Sequence, residues 1–246
     1  MLSSLFIIIL TIVSVLLGGI LPLVERKFLS LTQRRVGPWY VGYRGRLQFL
    51  ADALKLFLKE FIFLNNTNSV QVVLLPLIFF NINLFILLFL VWDNNLTLFE
   101  VEYSIVQLFI LLTVCSVIIS FVGIILKNKY TKVSSTRSAN MLICFDITTS
   151  IFLTNLIAIN GHFNFLAGHT MRDMLVPAIV FLPLILQLFI IYLIDVGRAP
   201  FDLVEAETEI IMGYNNEYSG FLFAIFILGE YKHILIFSYL FSVILF

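Results

Sequence analysis

Charge is scarce in this chain: Asp, Glu, Lys and Arg together make up 12% of its 246 residues, against about a quarter in soluble domains. With 61% apolar residues alongside, an ordinary water-soluble globule is excluded. Cysteine is almost absent. Cys115 and Cys144 stand in separate apolar runs without paired spacing, which argues against a disulfide framework or a metal motif and leaves both as small buried hydrophobes. His162 and His169 lie near a connection among Gly161, Asn164 and Gly168. They have no metal-ligand spacing and no second pair to hold a haem, so they read as solvated loop residues. The opening run lacks a basic n-region and a small-residue cleavage site, so it is a first transmembrane helix rather than a signal peptide. There is no Arg-rich transit sequence, internal repeat or low-complexity linker, so residues 1–246 read as a single membrane domain.

Long apolar runs are what the chain has instead. Crossing about 30 Å of hydrocarbon takes roughly 20 helical residues, and six such runs can be drawn, at about 2–24, 70–92, 104–126, 141–160, 175–195 and 219–246. A closed barrel would show weak alternation instead of solid runs. The expected fold class is therefore all-α and polytopic, with about six transmembrane helices. Thirteen of the fifteen Lys and Arg residues fall in the first, third and fifth connections. By the positive-inside rule those connections face the cytoplasm, or the matrix of a mitochondrion, and the N-terminus faces the other side. Heavy use of Phe, Ile, Leu and Asn is compatible with an AT-rich organellar genome.

The connections differ in kind. In the first, Glu25 to Ser69, the glycines and proline of the segment to Gly45 force turns. The run LQFLADALKLFLKEF that follows places Leu47, Leu50, Leu54, Leu58 and Phe61 on one helical face and Gln48, Asp52, Lys55 and Lys59 towards the other. This pattern suits an amphipathic helix lying in the membrane interface: a surface anchor, or a lipid-facing entrance for an amphipathic substrate. The second, Trp92 to Tyr103, carries Asp93, Glu100 and Glu102 without a base and reads as an outer loop. The third, KNKYTKVSSTR, is basic and suited to headgroups; its last residue, Arg137, leads into the next span.

Acids at membrane depth carry the functional signal. Asp146 sits in the middle of apolar LICFDITTSIFL and Glu230 in FLFAIFILGEYKH. A carboxylate there costs about 2.5–3.5 kcal/mol on insertion scales and almost always faces the bundle interior or water. A structural ion pair is the alternative, although Lys232, two positions from Glu230, lies on another helix face. The fifth connection, DVGRAPFDLVEAETEIIMGYNNE, holds Asp195, Asp202, Glu205, Glu207, Glu209 and Glu217 with a single cation, Arg198. Pro200 suits a helix start and Asp202 its first turn. Phe201, Leu203, Val204, Ile210, Ile211 and Met212 interleave the acids, which argues for a partly buried segment over a solvated loop. Crowded, desolvated carboxylates take up protons more readily and titrate together, as a proton relay near neutral pH needs.

Five stretches resemble the family of NADH-ubiquinone oxidoreductase chain 1 and its bacterial counterparts, a membrane component of respiratory complex I. They are LVERK at 23–27; Gln33, Arg35, Gly37 and Pro38 with Val41 and Gly42; the LQ-to-KE run at 47–60; Arg137 with Asp146; and GRAPFDLVEAETEIIMGYNNEY at 197–218, continuing to Gly229, Glu230 and Tyr231. The resemblance implies a non-redox membrane subunit at the junction of the two arms of a proton-pumping complex, binding no flavin, haem or iron–sulfur cluster itself. Ubiquinone would be the substrate in a shared chamber, shaped by Arg26, Arg35 and Asp52, with the amphipathic helix at its entrance. Arg137, Asp146, Asp195, Arg198, Asp202, Glu205, Glu207, Glu209, Glu217 and Glu230 would form the acidic path that couples quinone reduction to proton translocation. The implied partners are the other complex I subunits and membrane lipids. The implied location is the mitochondrial inner membrane with the N-terminus on the intermembrane-space side, or a bacterial plasma membrane.

The chain departs from the family pattern at several positions. Asp146 and Asp195 stand where glutamate is usual, Phe49 for proline, Val36 for a basic or polar residue, Met141 for glutamine and Gly197 for asparagine. The family has eight spans and this sequence stops inside or just after the sixth, so a second polypeptide supplying the last two is expected, with another subunit filling the gap as the alternative. Two rivals remain open at this stage. A membrane-bound hydrogenase subunit would share the acidic segment without a quinone chamber, and a secondary ion transporter would show inverted repeats and broken helices. A purely structural scaffold would leave the intramembrane acids without a purpose.

Overall fold

The computed structural model describes residues 2–60, 67–90, 103–160, 178–204 and 213–245. Among these, every regular element is helical, as the apolar runs require. The helices are α1 (Leu2–Thr32), α2 (Gln48–Leu58), α3 (Ser69–Phe89), α4 (Ser104–Ile125), α5 (Lys129–Asn160), α6 (Ala178–Val196) and α7 (Gly220–Leu245), with short 3₁₀ turns at Tyr43–Gly45 and Gly213–Glu217. Five of them, α1, α3, α4, α5 and α7, are long and apolar enough to cross a membrane, and α6 carries a shorter apolar stretch, Leu182–Val196. This is the all-α polytopic architecture expected. The acidic outer loop from Trp92 to Glu102, His162, His169, and Glu205, Glu207 and Glu209 lie outside the described residues.

Two helices run past the ends of their apolar stretches. α1 continues to Thr32, so Arg26 and Lys27 stand on a helix and not in a connection. α5 begins at Lys129, so most of the basic third connection, Arg137 included, is its first turns. The serine hydroxyls of these turns bond carbonyls of their own helix: Ser134 to Thr131 at 2.8 Å, Ser135 to Lys132 at 2.7 Å and Ser138 to Ser135 at 2.9 Å. Their polarity is thereby satisfied locally, and Thr131, Ser134 and Ser138 are buried.

α7 is the axis of the bundle, packing against α1, α2, α3 and α6, while α4 joins α3 to α5. The core around it is aromatic: Phe79, Phe226 and Phe237 are fully buried. A Cβ at Gly229 would lie 2.4 Å from Cε1 of Phe79. The glycine therefore lets that ring lie against α7, where it stacks on Phe226 at 4.9 Å and on His233 at 5.6 Å. α2, the amphipathic helix, has no buried residue. Leu54, Phe57 and Leu58 are exposed, as a helix lying on a lipid surface requires, and Phe57 reaches Phe221 of α7 at 5.0 Å.

Candidate functional site

A cavity of about 360 Å³ opens where α7 meets the ends of α1 and α6 and the middle of α4 and α5. Phe79, Ile119, Phe145 and Ile227 give it apolar walls, and Arg26, Asp195, Arg198, Asp202, Glu230 and His233 bring ionisable groups into it. So many ionisable residues converging on one apolar hollow is the usual signature of a ligand or proton site.

The termination of α6 sets the geometry. The Gly197 amide bonds the Ile194 carbonyl at 3.3 Å and the Arg198 amide bonds the Leu193 carbonyl at 3.2 Å, with Gly197 at φ +63°. This is the Schellman arrangement, whose left-handed residue is usually glycine and sometimes asparagine. The departure at position 197 therefore keeps the backbone geometry that asparagine also tolerates. It aims Arg198 back at α1, where the guanidinium grips Glu25 with both nitrogens, at 2.5 and 2.8 Å. The Tyr231 hydroxyl donates to the same carboxylate at 2.8 Å, and the guanidinium lies 5.7 Å from the Tyr231 ring. Burial opposes the charge on Arg198, but its bonds to Glu25 and Tyr231 and the attraction of Glu25 outweigh it and hold the guanidinium's pKa above its ordinary value. α1, α6 and α7 are thus tied by one fork-shaped ion pair.

Deeper, Asp195 meets Nδ1 of His233 at 2.5 Å, with side-chain exposures of 1% and 4%. One turn towards the start of α7, Glu230 accepts bonds from the Tyr214 hydroxyl and from the Asn215 amide, the latter at 3.3 Å. Glu230 and His233 are three residues apart and share a helix face. Between them Lys232 turns away and is fully buried. Its ammonium sits 3.4 Å from the centre of the Phe80 ring and makes no hydrogen bond among the described residues.

The structure brings together Arg26, Asp195, Arg198, Asp202 and Glu230 at the cavity. Asp52 joins them indirectly, bonding Arg26 at 2.9 Å and Gln48 at 2.9 Å at a largely exposed junction of α1 and α2. Arg137 reaches the Leu203 carbonyl at 3.4 Å, bracing the acidic segment from α5. Three residues stand apart. Arg35 is exposed beyond the end of α1 and does not line the cavity. Glu217 bonds the Asn128 amide at the α4–α5 connection. Asp146 is exposed on the outer face of α5, away from the cavity, and its carboxylate has no hydrogen-bond partner among the described residues.

Glu25, Tyr214, Asn215 and His233 belong to the site, as does Tyr231 in a new capacity, and the sequence did not single them out. The available signal was helical spacing: His233 is one turn beyond Glu230, and Tyr214 and Asn215 belong to the segment that ends the acid-rich connection.

Comparison with known proteins identifies the family of the chain. The sequence model of the family described as NADH dehydrogenase matches residues 4–246. The chain is 39% identical to the NADH-ubiquinone oxidoreductase chain 1 of Paramecium tetraurelia, over 97% of this chain and 92% of that one. It is 35% identical to the protein of the same name from Chondrus crispus, over 100% and 76% of the two chains. It is 32% identical to the corresponding bacterial NADH-quinone oxidoreductase protein of Paramagnetospirillum magneticum, over 98% and 72%.

Proposed function

Because the chain belongs to the NADH dehydrogenase family, we propose that it is the chain 1 membrane subunit of a proton-translocating NADH:ubiquinone oxidoreductase. In this reading the cavity belongs to the chamber that receives the quinone, and the acids around it begin the path by which quinone reduction drives proton movement. The observation that carries the reading is the convergence of Asp195, Asp202, Glu230, Arg26, Arg198 and His233 on a hollow inside an apolar bundle. Its volume, about 360 Å³, falls at the lower end of the range for small-molecule sites, about 300–1,000 Å³. Aromatic and aliphatic walls suit a quinone ring, and the cations and hydroxyls suit its carbonyls.

The redox centres belong to partner subunits; this chain's residues position, solvate and move protons. Addition of two electrons to a quinone raises the proton affinity of its oxygens. The acids of the 195–217 segment answer by exchanging protons and rearranging, biasing a two-state element that passes the change sideways. Glu205, Glu207, Glu209 and Glu217 extend the path along the segment, and Asp146 and Arg137 carry it to the outer face of α5. α2 lies at the lipid surface as the lip of the entrance, with Arg26, Arg35 and Asp52 near it. The surrounding partners are the other membrane and peripheral subunits of the complex, and membrane lipids. The location is the mitochondrial inner membrane, with the N-terminus towards the intermembrane space.

Glu205→Gln and Glu209→Gln test this. Each is expected to lower NADH–quinone turnover while leaving NADH–ferricyanide turnover intact, since the latter bypasses the membrane subunit. Equal loss of both activities would indicate failed assembly and remove the support for a coupling role.

A further inference from the structure

The Asp195–His233 pair has a feature that a structural ion pair does not need. Nδ1 is fixed by Asp195 at 2.5 Å, while Nε2 is buried and has no hydrogen-bond partner among the described residues. His233 nevertheless borders the cavity, as do Asp195 and Glu230. Phe79 lies nearly parallel to the ring, at 17° and 5.6 Å, which holds its plane and offers a face to a cationic imidazole.

The groups around the ring come from every neighbouring helix. α6 brings Asp195, and α4 brings Cys115, whose thiol borders the ring and contacts Asn83 at 3.9 Å. α3 brings neutral Phe79 and Asn83, with the Asn83 amide bound to the Phe79 carbonyl at 3.1 Å. α7 itself brings Glu230 one turn away, and Lys232, whose ammonium is directed to Phe80. Arg198 and Glu25 neutralise each other on the α1 side. Among the described residues the carboxylate bonded to the ring is thus Asp195.

Resting on the reading of this cavity as the start of a proton path, we propose that His233 is its proton-loading group. With Nδ1–H held by the Asp195 carboxylate, Nε2 takes a proton from cavity water. The N–H bond forms as the donor's O–H bond breaks, giving an imidazolium beside a carboxylate with no change of oxidation state. Unloading reverses the step, the proton leaving Nε2 through water to the Glu230 carboxylate one turn away, which becomes neutral as the ring does. Asp195 is a positioning residue throughout, fixing the tautomer that leaves Nε2 free to accept.

The test uses the assembled membrane complex carrying His233→Asn, which can still donate to Asp195, or His233→Gln, which places an amide near Nε2. Neither side chain binds a proton at neutral pH. Assembly is checked on native gels and by NADH–ferricyanide turnover. The expected result is NADH–quinone turnover at least tenfold lower, with a pH profile displaced by a unit or more. Turnover within twofold of the parent, with an unchanged profile, overturns the proposal. Glu205→Gln serves as the companion variant. If it lowers NADH–quinone turnover while the His233 variants do not, the proton-loading role alone falls. If it too is without effect, the coupling reading beneath it falls as well. Should neither His233 variant assemble, the parent complex with ¹⁵N-labelled histidine decides: an isotope-sensitive imidazolium band in the quinone-reduction infrared difference spectrum supports the role, and its absence overturns it.

Discussion

Glu230 and Asp146 are the same problem solved in two places. Both are single carboxylates within apolar helices, and both carry a similar insertion penalty. Glu230 is satisfied by its own chain: Tyr214 and Asn215 bond it from the turn before α7, and it borders a cavity. Asp146 stands on the outer face of α5 between Ile143 and Ile147, which are 57% and 56% exposed. Nothing among the described residues bonds its side chain. A chain can therefore hold one acid as part of its own fold and leave another for whatever adjoins it, and removing each should fail differently.

The largest expected effect is at Glu230. Glu230→Leu removes the carboxylate that Tyr214 and Asn215 both bond, at about 1–3 kcal/mol, and should both impair assembly on native gels and lower NADH–quinone turnover more than tenfold. Glu230→Gln keeps an acceptor in place, so its assembly should be near normal while turnover still falls. Next comes Glu25→Gln, which loses a half-exposed bidentate pair. Allowing for solvent, it should cost about 1–2 kcal/mol, read as a lower temperature for dissociation of the complex. Asp146→Asn should change turnover while leaving that temperature nearly unmoved, within about 0.5 kcal/mol for an exposed position. Stability lost as in Glu230→Leu would erase the contrast between the two acids. The smallest effect on turnover is expected at Lys232, whose ammonium is buried over Phe80 without a hydrogen bond among the described residues. Lys232→Met preserves length and removes a desolvated charge, so stability should stay within about 1 kcal/mol or rise; a large loss would mean that an unbonded charge also holds α7 in place.

The spans were legible because hydrocarbon thickness leaves a plain mark on hydropathy. The ends of α1 and α5 were not, because hydropathy stops at the interface while backbone hydrogen bonding continues through Arg26, Lys27 and the serines after Lys129. The acids of the site were legible because the chain has only fifteen. Their partners were not: Tyr214 and Tyr231 are two of nine tyrosines among 26 phenylalanines, and only the fold shows which aromatic hydroxyls meet a carboxylate. Glu25 reads as one more interfacial charge beside Arg26 and Lys27 until Arg198 is placed on it. The resemblance of the 197–218 segment carried further than physics alone could, since it joined acids whose helices are distant in sequence. It also marked position 197 as unusual, and the Schellman turn at the end of α6 shows why glycine suffices there.

The Glu25 carboxylate binds residues 173 and 206 positions further along the chain. During synthesis at roughly 5–20 residues per second, the first helix therefore waits about 9–35 s for its counter-charge. Through that interval Glu25 has to stay at the water-facing margin of the bilayer, and α1 is held in place only by its apolar length. Arrival of Arg198 and then Tyr231 closes the first helix onto the last one described. The ion pair thus also marks the point in biogenesis at which this bundle can first become a unit.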